Sequence, residues 1–492
     1  MPIGLVIFSL MSESPQRLPR VSRMSTRAVV IGGSLAGMLA AAAVRDHVDS
    51  VEIIEAHDLP EGPESRAGVP QAAHFHVLLS GGANAIEDLL PGTVKELLSA
   101  GANRVPMTTN MLIHSPEGWY RRWKRDSHYL ITASRDLTDS VIRSQVLKDP
   151  RVSVRPHTKV TALLGSSRRV TGVRLRTADG TGTDLPADLV VDASGKASRT
   201  PRWLAELGIP DPAAQDRVDS GIAYASRIYR APVSTHNWPV ISVQADPRSG
   251  EPGRTGGIVP IEDGRWHVSL IGTPGAQPSR EAAEFEPYAR TLRHPVIADL
   301  LTRAEPLTDV AITHSTVNRR HYYERLKSWP EGLVALGDSV AAFNPVYGHG
   351  MSVAALGAVA LRTQLTSLGL TNGLSRKAQR AIARPVELAW SLAVGQDIHY
   401  DTTQGGSAGT ADRLLQRYVS RLSHTATGSY HVATAMTEVL TLQSPGTALL
   451  RPSVLAAAAI GPLRPRLDGP TFTAAERRLL ADAGIRLPWL TA

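Results

Sequence analysis

The sequence predicts an α/β protein. A Rossmann-like nucleotide-binding domain is interrupted by a mostly antiparallel β-sheet domain and followed by a helical C-terminal region. Three observations predict this. A strand, a glycine turn, a helix and a second strand succeed one another between Arg27 and Glu55. Residues 218–273 alternate in strand fashion. From about Ala354 onward the chain reads as helix.

At 492 residues the chain exceeds one ordinary domain and can bury a large core. Its 42% hydrophobic and 20% charged residues are those of a globular protein. There is no cysteine, which excludes disulfides, a thiolate nucleophile and cysteine-ligated metals, and suits a reducing cytoplasm. A net charge of +8 favours anionic ligands by long-range attraction and is weak evidence for nucleic acid. Ile3 to Met11 is apolar but short, and Arg17, Arg20 and Arg23 follow it, the reverse of a secretory signal. Residues 1–24 therefore read as a disordered arm or an over-long start. Leu455 to Ile460 is apolar but ends at Gly461-Pro462, far short of the ~20 residues that span a bilayer. A cytoplasmic protein without stable membrane insertion or nucleic-acid partner is expected.

In order, Arg27 to Ile31 is a strand, Leu35 to Val44 an alanine-rich helix and Val51 to Glu55 a strand. Asn84 to Leu90, Thr93 to Ala100 and Leu137 to Leu147 read as helices. Met111 to Ile113, His128 to Ala133, Val160 to Leu164, Val170 to Arg176 and Leu189 to Asp192 read as strands. Composition shifts near Pro210. Gly221 to Tyr229, Val240 to Gln244, Gly257 to Ile261 and Trp266 to Ile271 alternate, with Asp263-Gly264 as a hairpin turn. Two helices follow, Arg280 to Leu292 and Val296 to Ala304, and then Thr313 to Val317 and Leu333 to Leu336 return to the first domain. Pro385 is expected to kink or break a C-terminal helix. The expected limits are residues 25–210 and 310–365 for the nucleotide domain, 211–309 for the inserted sheet and 366–492 for the helical region.

The stretch Leu333 to Ser352, LVALGDSVAAFNPVYGHGMS, carries the most chemistry. A buried strand ending in Gly337-Asp338 puts a carboxylate at the carboxyl edge of a sheet, where α/β folds bind ligands. The glycines after Pro345 allow close approach of a ligand and open a helix whose amides point outward. A carboxylate for ribitol hydroxyls, and a helix start facing a ring that becomes anionic on reduction, together fit a flavin. Gly32-Gly33-Ser34-Leu35-Ala36-Gly37 nearly matches Gly-x-Gly-x-x-Gly, with Ser34 in the middle glycine position. Gly32 permits the tight turn, Gly37 permits close helix–strand packing, and free amides remain for a pyrophosphate. Glu55 ends the next strand; its carboxylate suits ribose hydroxyls and repels a 2′-phosphate, so FAD or NAD fits better than NADP.

With Arg66-Ala67-Gly68-Val69, these motifs resemble the single-component flavin monooxygenases of the para-hydroxybenzoate hydroxylase fold, over residues 25–365. The resemblance implies FAD held by Gly32, Ser34, Gly37, Glu55 (adenosine ribose), Arg66 (pyrophosphate side), Val69, and Arg135 (flavin side). Val160 would touch adenine through its main chain, and Asp338, next to the cofactor-side Gly337, would hold the ribitol. Gly348, Gly350, Met351 and Ser352 would face the flavin pyrimidine edge. It also implies NADPH or NADH as reductant, dioxygen as co-substrate and a flavin C4a-hydroperoxide as oxidant. No metal is implied, and His74-x-His76 reads as two loop or strand histidines. GVPQAAHFHVLLSGGANAIEDLLPG, VNRRHYYERLKSWPEGLVALGD and FNPVYGHGMS resemble more narrowly the flavin epoxidases of polyether ionophore biosynthesis, such as those for monensin and lasalocid. That implies epoxidation of alkenes in a linear, apolar polyketide. Two departures stand out: Ser194 in Asp192-Ala193-Ser194-Gly195 replaces an acid, and Ala341 replaces a histidine.

An alkene has no acidic proton, so no side-chain base is assigned; Pro345 and His349 are pocket candidates. Aromatic hydroxylation, a flavin-dependent reductase and a non-catalytic flavin carrier remain as alternatives. Trp203 and Ile209-Pro210 do not form the Trp-x-Trp-x-Ile-Pro segment of a halogenase. The basic segment Arg121 to Arg125 reads as a solvated loop or strand edge near the pocket mouth.

Overall fold

The computed structural model describes residues 25–66, 68–209, 215–314 and 316–490. The proposed arm 1–24, Ala67 and the boundary at Pro210 lie outside these residues. Five parallel strands form a central sheet in the order Leu333–Ala335, Leu189–Asp192, Arg27–Ile31, Ser50–Ile54, Val152–Arg155. Leu189–Asp192 and Leu333–Ala335 are buried throughout, which is why they read as unbroken apolar runs. Helix Leu35–Val44 has nine of its ten residues buried and so has no polar face. It lies against helices Gly350–Leu368 and Arg135–Val146, and its alanines let those neighbours come close. Strands Thr158–Gly165, Val170–Thr177 and Gly182–Pro186 form a separate antiparallel sheet.

The second large sheet is built on Ala223–Arg230, Arg265–Gly272, Arg254–Ile261 and Val240–Val243, all antiparallel neighbours. Its Asp263-Gly264 turn has φ of 58° and 65° at the two central residues, the geometry that matches the twist of flanking strands. This sheet is not confined to residues 211–309. Met111–Ser115 joins it parallel to Val240–Val243, and Gly118–Trp119 extends its edge. The strand expected at Thr313 to Val317 also differs. It is Ala311–Thr313, and it pairs with Ala223–Arg230 rather than with the first domain. The chain returns instead through Asn318–His321, which pairs with Gln215–Val218 and Ala341–Ala342.

Pro385 does not break its helix, which runs unbroken from Leu374 to Asp397. Burial of Ala378, Ile382, Val386, Ala389 and Ala393 in the main core offsets the one missing amide donor. The region after residue 366 is accordingly three things. Helix Leu374–Asp397 belongs to the first core. Helices Thr410–Ala426, Tyr430–Leu440 and Pro452–Ile460 share a small core of their own. The tail returns to the antiparallel sheet, burying Phe472, Leu480 and Ile485 with Trp238, Trp266 and Phe285. Arg122 fastens that tail, donating to both Glu476 oxygens at 2.7 and 2.9 Å. Glu476 also closes a capping box with Thr473. The basic segment is thus partly a buried strut. No helix among the described residues is long and apolar enough to cross a membrane.

Replacing Arg122 with alanine leaves the Glu476 carboxylate buried and unpaired. It should cost about 3 kcal/mol, read as a lower urea midpoint and as earlier proteolytic release of the tail beyond Pro470.

Candidate cofactor site

Gly32 donates its amide to the Ile54 carbonyl at 2.8 Å and turns with φ +99°. A side chain there would meet the Ala193 carbonyl, and one at Gly37 would overlap the Gly32 carbonyl. The turn can form only with these glycines. Helix Leu35–Val44 then begins with Ser34 at its cap, no side-chain cap bond and no acid in its first turn. Its first amides are left for an anion, and the helix dipole favours one there. Glu55 sits beside the turn, 7% exposed, accepting from the Gly33 amide at 2.7 Å and the His57 amide at 2.9 Å. Arg66 pairs with Glu55 at 3.0 Å and donates to the Gly33 carbonyl at 3.2 Å, while its buried Nε has no partner. Arg135, first residue of helix Arg135–Val146, bonds Asp139 at 2.8 Å and the Ser34 hydroxyl at 3.2 Å. Val69 is buried just after Arg66, and Val160 is buried in strand Thr158–Gly165.

Gly337 (φ +66°) packs against Ala36 in the first turn of that same helix, so the two strand ends meet at one edge. Burial pushes the Asp338 carboxyl up, and the positive charges of Lys196, Arg135 and Arg319 pull it back down. Asp192 is fully buried and acts locally. It accepts from the Ser194, Ser198 and Thr200 hydroxyls, each at 2.5 Å, and from the Ser194 amide at 3.0 Å. It thereby shapes the loop that carries Lys196 toward Asp338. Next comes the turn Pro345–Tyr347, capped by the Asn344 side chain and closed by Gly348 (φ +66°). Helix Gly350–Leu368 follows, with His349 at its cap, no side-chain cap bond and no acid in its first turn. Met351 and Ser352 are buried in that first turn; the Ser352 hydroxyl accepts from the Leu79 amide at 3.2 Å.

The antiparallel sheet closes the other side. Tyr224 donates to the Asn344 side chain at 2.5 Å, and Val346 packs on Ile222, Tyr224 and Ile271. His74 Nδ1 meets the Ser226 hydroxyl at 2.8 Å, which meets Ser269 at 2.5 Å. His76 Nδ1 donates to the His74 carbonyl at 2.8 Å. Burial lowers His74, His267 and His349 to about 4 and His76 to about 3. A cavity of about 550 Å³ opens beside Ala73, Ser226 and His267. Asp136, Glu262 and Asp309 line it together with Ala72, Leu137 and Ile228, so its wall is mixed polar and apolar.

The residues present fit FAD. Two uncapped helix starts, an orphaned Arg66 Nε and a half-buried Asp338 near positive charge lie around one sheet edge. Ser34, Glu55, Arg66 and Arg135 are joined around the turn after Gly32, Gly337 packs beside them, and Val160 lies apart in its own strand. Sequence reasoning missed Lys196, Tyr224, Asn318, Asn344 and Asp397. They are scattered over two hundred positions and carry no local signal.

Residues 28–201 match the family model described as FAD dependent oxidoreductase. The chain is 32% identical over 393 residues to protein Rv3254 of Mycobacterium tuberculosis, covering 77% of this chain and 82% of that one. It is 28% identical to kynurenine 3-monooxygenase of Salinispora arenicola, covering 70% and 74%. Among solved structures it is similar to p-nitrophenol 4-monooxygenase PnpA of Pseudomonas putida, with TM-score 0.58, 16% identity and coverage of 85% and 98%. It is also similar to the flavin-dependent brominase Bmp2, with TM-score 0.57, 15% identity and coverage of 88% and 100%.

Replacing Asp338 with alanine should lower the flavin retained per protein at least tenfold, read from the ratio of visible to 280 nm absorbance. The neutral histidines set an acid limit. Their folded pKa values lie below the unfolded 6.5, so the unfolded state binds more protons. The stability they contribute is complete above pH 6.5 and is lost as the pH falls toward 4. Melting temperature should therefore decline steadily from pH 7 to pH 5.

Proposed function

The chain belongs to the FAD-dependent oxidoreductases, and on that footing we propose that it is a monooxygenase that epoxidises alkenes of a linear polyketide-like substrate. The overall reaction consumes an alkene, dioxygen, NAD(P)H and a proton, and yields an epoxide, NAD(P)+ and water. Bound FAD would supply the redox chemistry, carrying electrons from the nicotinamide to dioxygen. The chain's own residues bind and orient. The amides of the turn after Gly32 take the pyrophosphate, Glu55 the adenosine ribose, Asp338 the ribitol and Arg135 the flavin side. The start of helix Gly350–Leu368 presents its positive end to the edge of the ring that becomes anionic on reduction.

One observation supports epoxidation over hydroxylation of a phenol. The imidazoles on the substrate side, His74 and His267, are held neutral and titrate near 4. A base that weak is poorly matched to removing a phenolic proton near neutral pH, whereas an alkene needs none removed. The epoxidase-like strings around Gly68, Val317 and Phe343 point the same way. Aromatic hydroxylation is the second reading, favoured by the likeness to kynurenine 3-monooxygenase.

Incubation with a synthetic linear polyene, NADPH or NADH and 18O-labelled dioxygen tests the choice by mass spectrometry. A product heavier by one labelled oxygen, with nicotinamide oxidation stimulated by the polyene, is the expected result. Stimulation by phenolic or anilinic arenes alone, with a labelled hydroxyl product, would replace epoxidation with hydroxylation.

A further inference from the structure

Several separate stretches of chain converge on one fully buried carboxylate, Asp397, the last residue of helix Leu374–Asp397. Its Oδ1 accepts from the Tyr347 hydroxyl at 2.6 Å. Its Oδ2 accepts from the Asn318 amide at 2.6 Å and the Asn344 amide at 3.3 Å. Asn344 passes the linkage on. Its backbone N–H donates to Asn318 Oδ1 at 2.7 Å, and its Oδ1 accepts from the Tyr224 hydroxyl at 2.5 Å and from the Val346 amide at 3.3 Å. Asn318 and Asn344 are also fully buried. The main-chain carbonyl of Asp397 accepts from the Thr403 hydroxyl at 2.5 Å, which fixes the helix end itself.

Two features set this network apart from ordinary core packing. All of its partners are neutral donors, and among the described residues no ion pair reaches Asp397. Burying a carboxylate without a cation is costly, and apolar side chains hold helices together as well or better. Moreover, the donors are not spread over the core. They join the turn Asn344–Tyr347 on one side to Tyr224 of the antiparallel sheet on the other, and helix Gly350–Leu368 starts three residues after Tyr347.

We propose that Asp397 is a positioning residue that holds the turn Asn344–Tyr347 in one place against the flavin ring and locks it to the sheet face at Tyr224. This rests on the flavin reading given above. The carboxylate sets where Pro345 and the helix start stand relative to the ring, and so sets how well the helix end stabilises negative charge on it. It touches neither substrate nor reacting atoms and acts through Asn344 and Tyr347.

The test uses holoenzyme and sulfite, which adds to flavin N5 and leaves negative charge at N1–C2=O. Asp397→Asn and Tyr347→Phe should retain FAD and melt near the wild-type temperature. Both should bind sulfite about fivefold or more weakly, the effect of one lost hydrogen bond, with a displaced flavin absorption maximum. Tyr322→Phe removes a hydrogen bond of similar length, to Asp216 at 2.5 Å, which is no part of the network, and should leave both readings unchanged. If Asp397→Asn does not fold, Tyr347→Phe carries the test, since it removes a single bond. Unchanged sulfite affinity and spectrum in the folded variants would overturn the proposal, as would an equal shift in Tyr322→Phe. A wild-type protein that takes up no FAD would overturn the flavin reading itself and this proposal with it.

Discussion

The site depends on how closely three backbone segments approach one another at the carboxyl edge of the parallel sheet. Gly32 lies against the Ala193 carbonyl, Gly37 against the Gly32 carbonyl and Gly337 against Ala36. Each contact excludes a side chain. Because all three are glycines, two strand ends and a helix start fit into the space that two would otherwise fill. That crowding leaves backbone amides pointing outward with no protein partner, and polar ligand groups can take them up.

Electrostatics at this edge follow from burial more than from net charge. Asp192 is fully buried, and hydroxyls from Ser194, Ser198 and Thr200 with the Ser194 amide satisfy it. Asp338 is half-buried, and its counterweights are the more distant charges of Lys196, Arg135 and Arg319. One carboxylate is consumed by the fold and the other stays partly exposed. On the sheet side the same burial holds the histidines neutral.

The antiparallel sheet is held to this edge from two directions. Tyr224 and Val346 join it to the turn after Phe343. On the far side, Phe472, Leu480 and Ile485 bring the last helix of the chain onto its core, and Arg122 locks that helix through Glu476. The sheet is thus clamped between the cofactor edge and the chain's own tail, and strand Met111–Ser115 stitches it to the first domain.

Much was legible in the amino-acid order because it is local. The glycine turn, Glu55 at the end of its strand, Gly337-Asp338 and the Asp263-Gly264 hairpin each depend on a few adjacent residues, and their backbone geometry follows from side-chain size. Composition likewise placed the alanine-rich helix Leu35–Val44, and periodicity the alternating strands. Tertiary packing alone decided the rest. Ala311–Thr313 pairs with the antiparallel sheet, a choice that depends on tertiary context rather than on the strand's own residues. Pro385 is tolerated because burial on both sides of it outweighs one absent donor. Tyr224, Asn318, Asn344 and Asp397 meet only after the chain has folded. Hydrogen bonding acts over about 3 Å, so separation along the chain leaves no trace of it in the sequence.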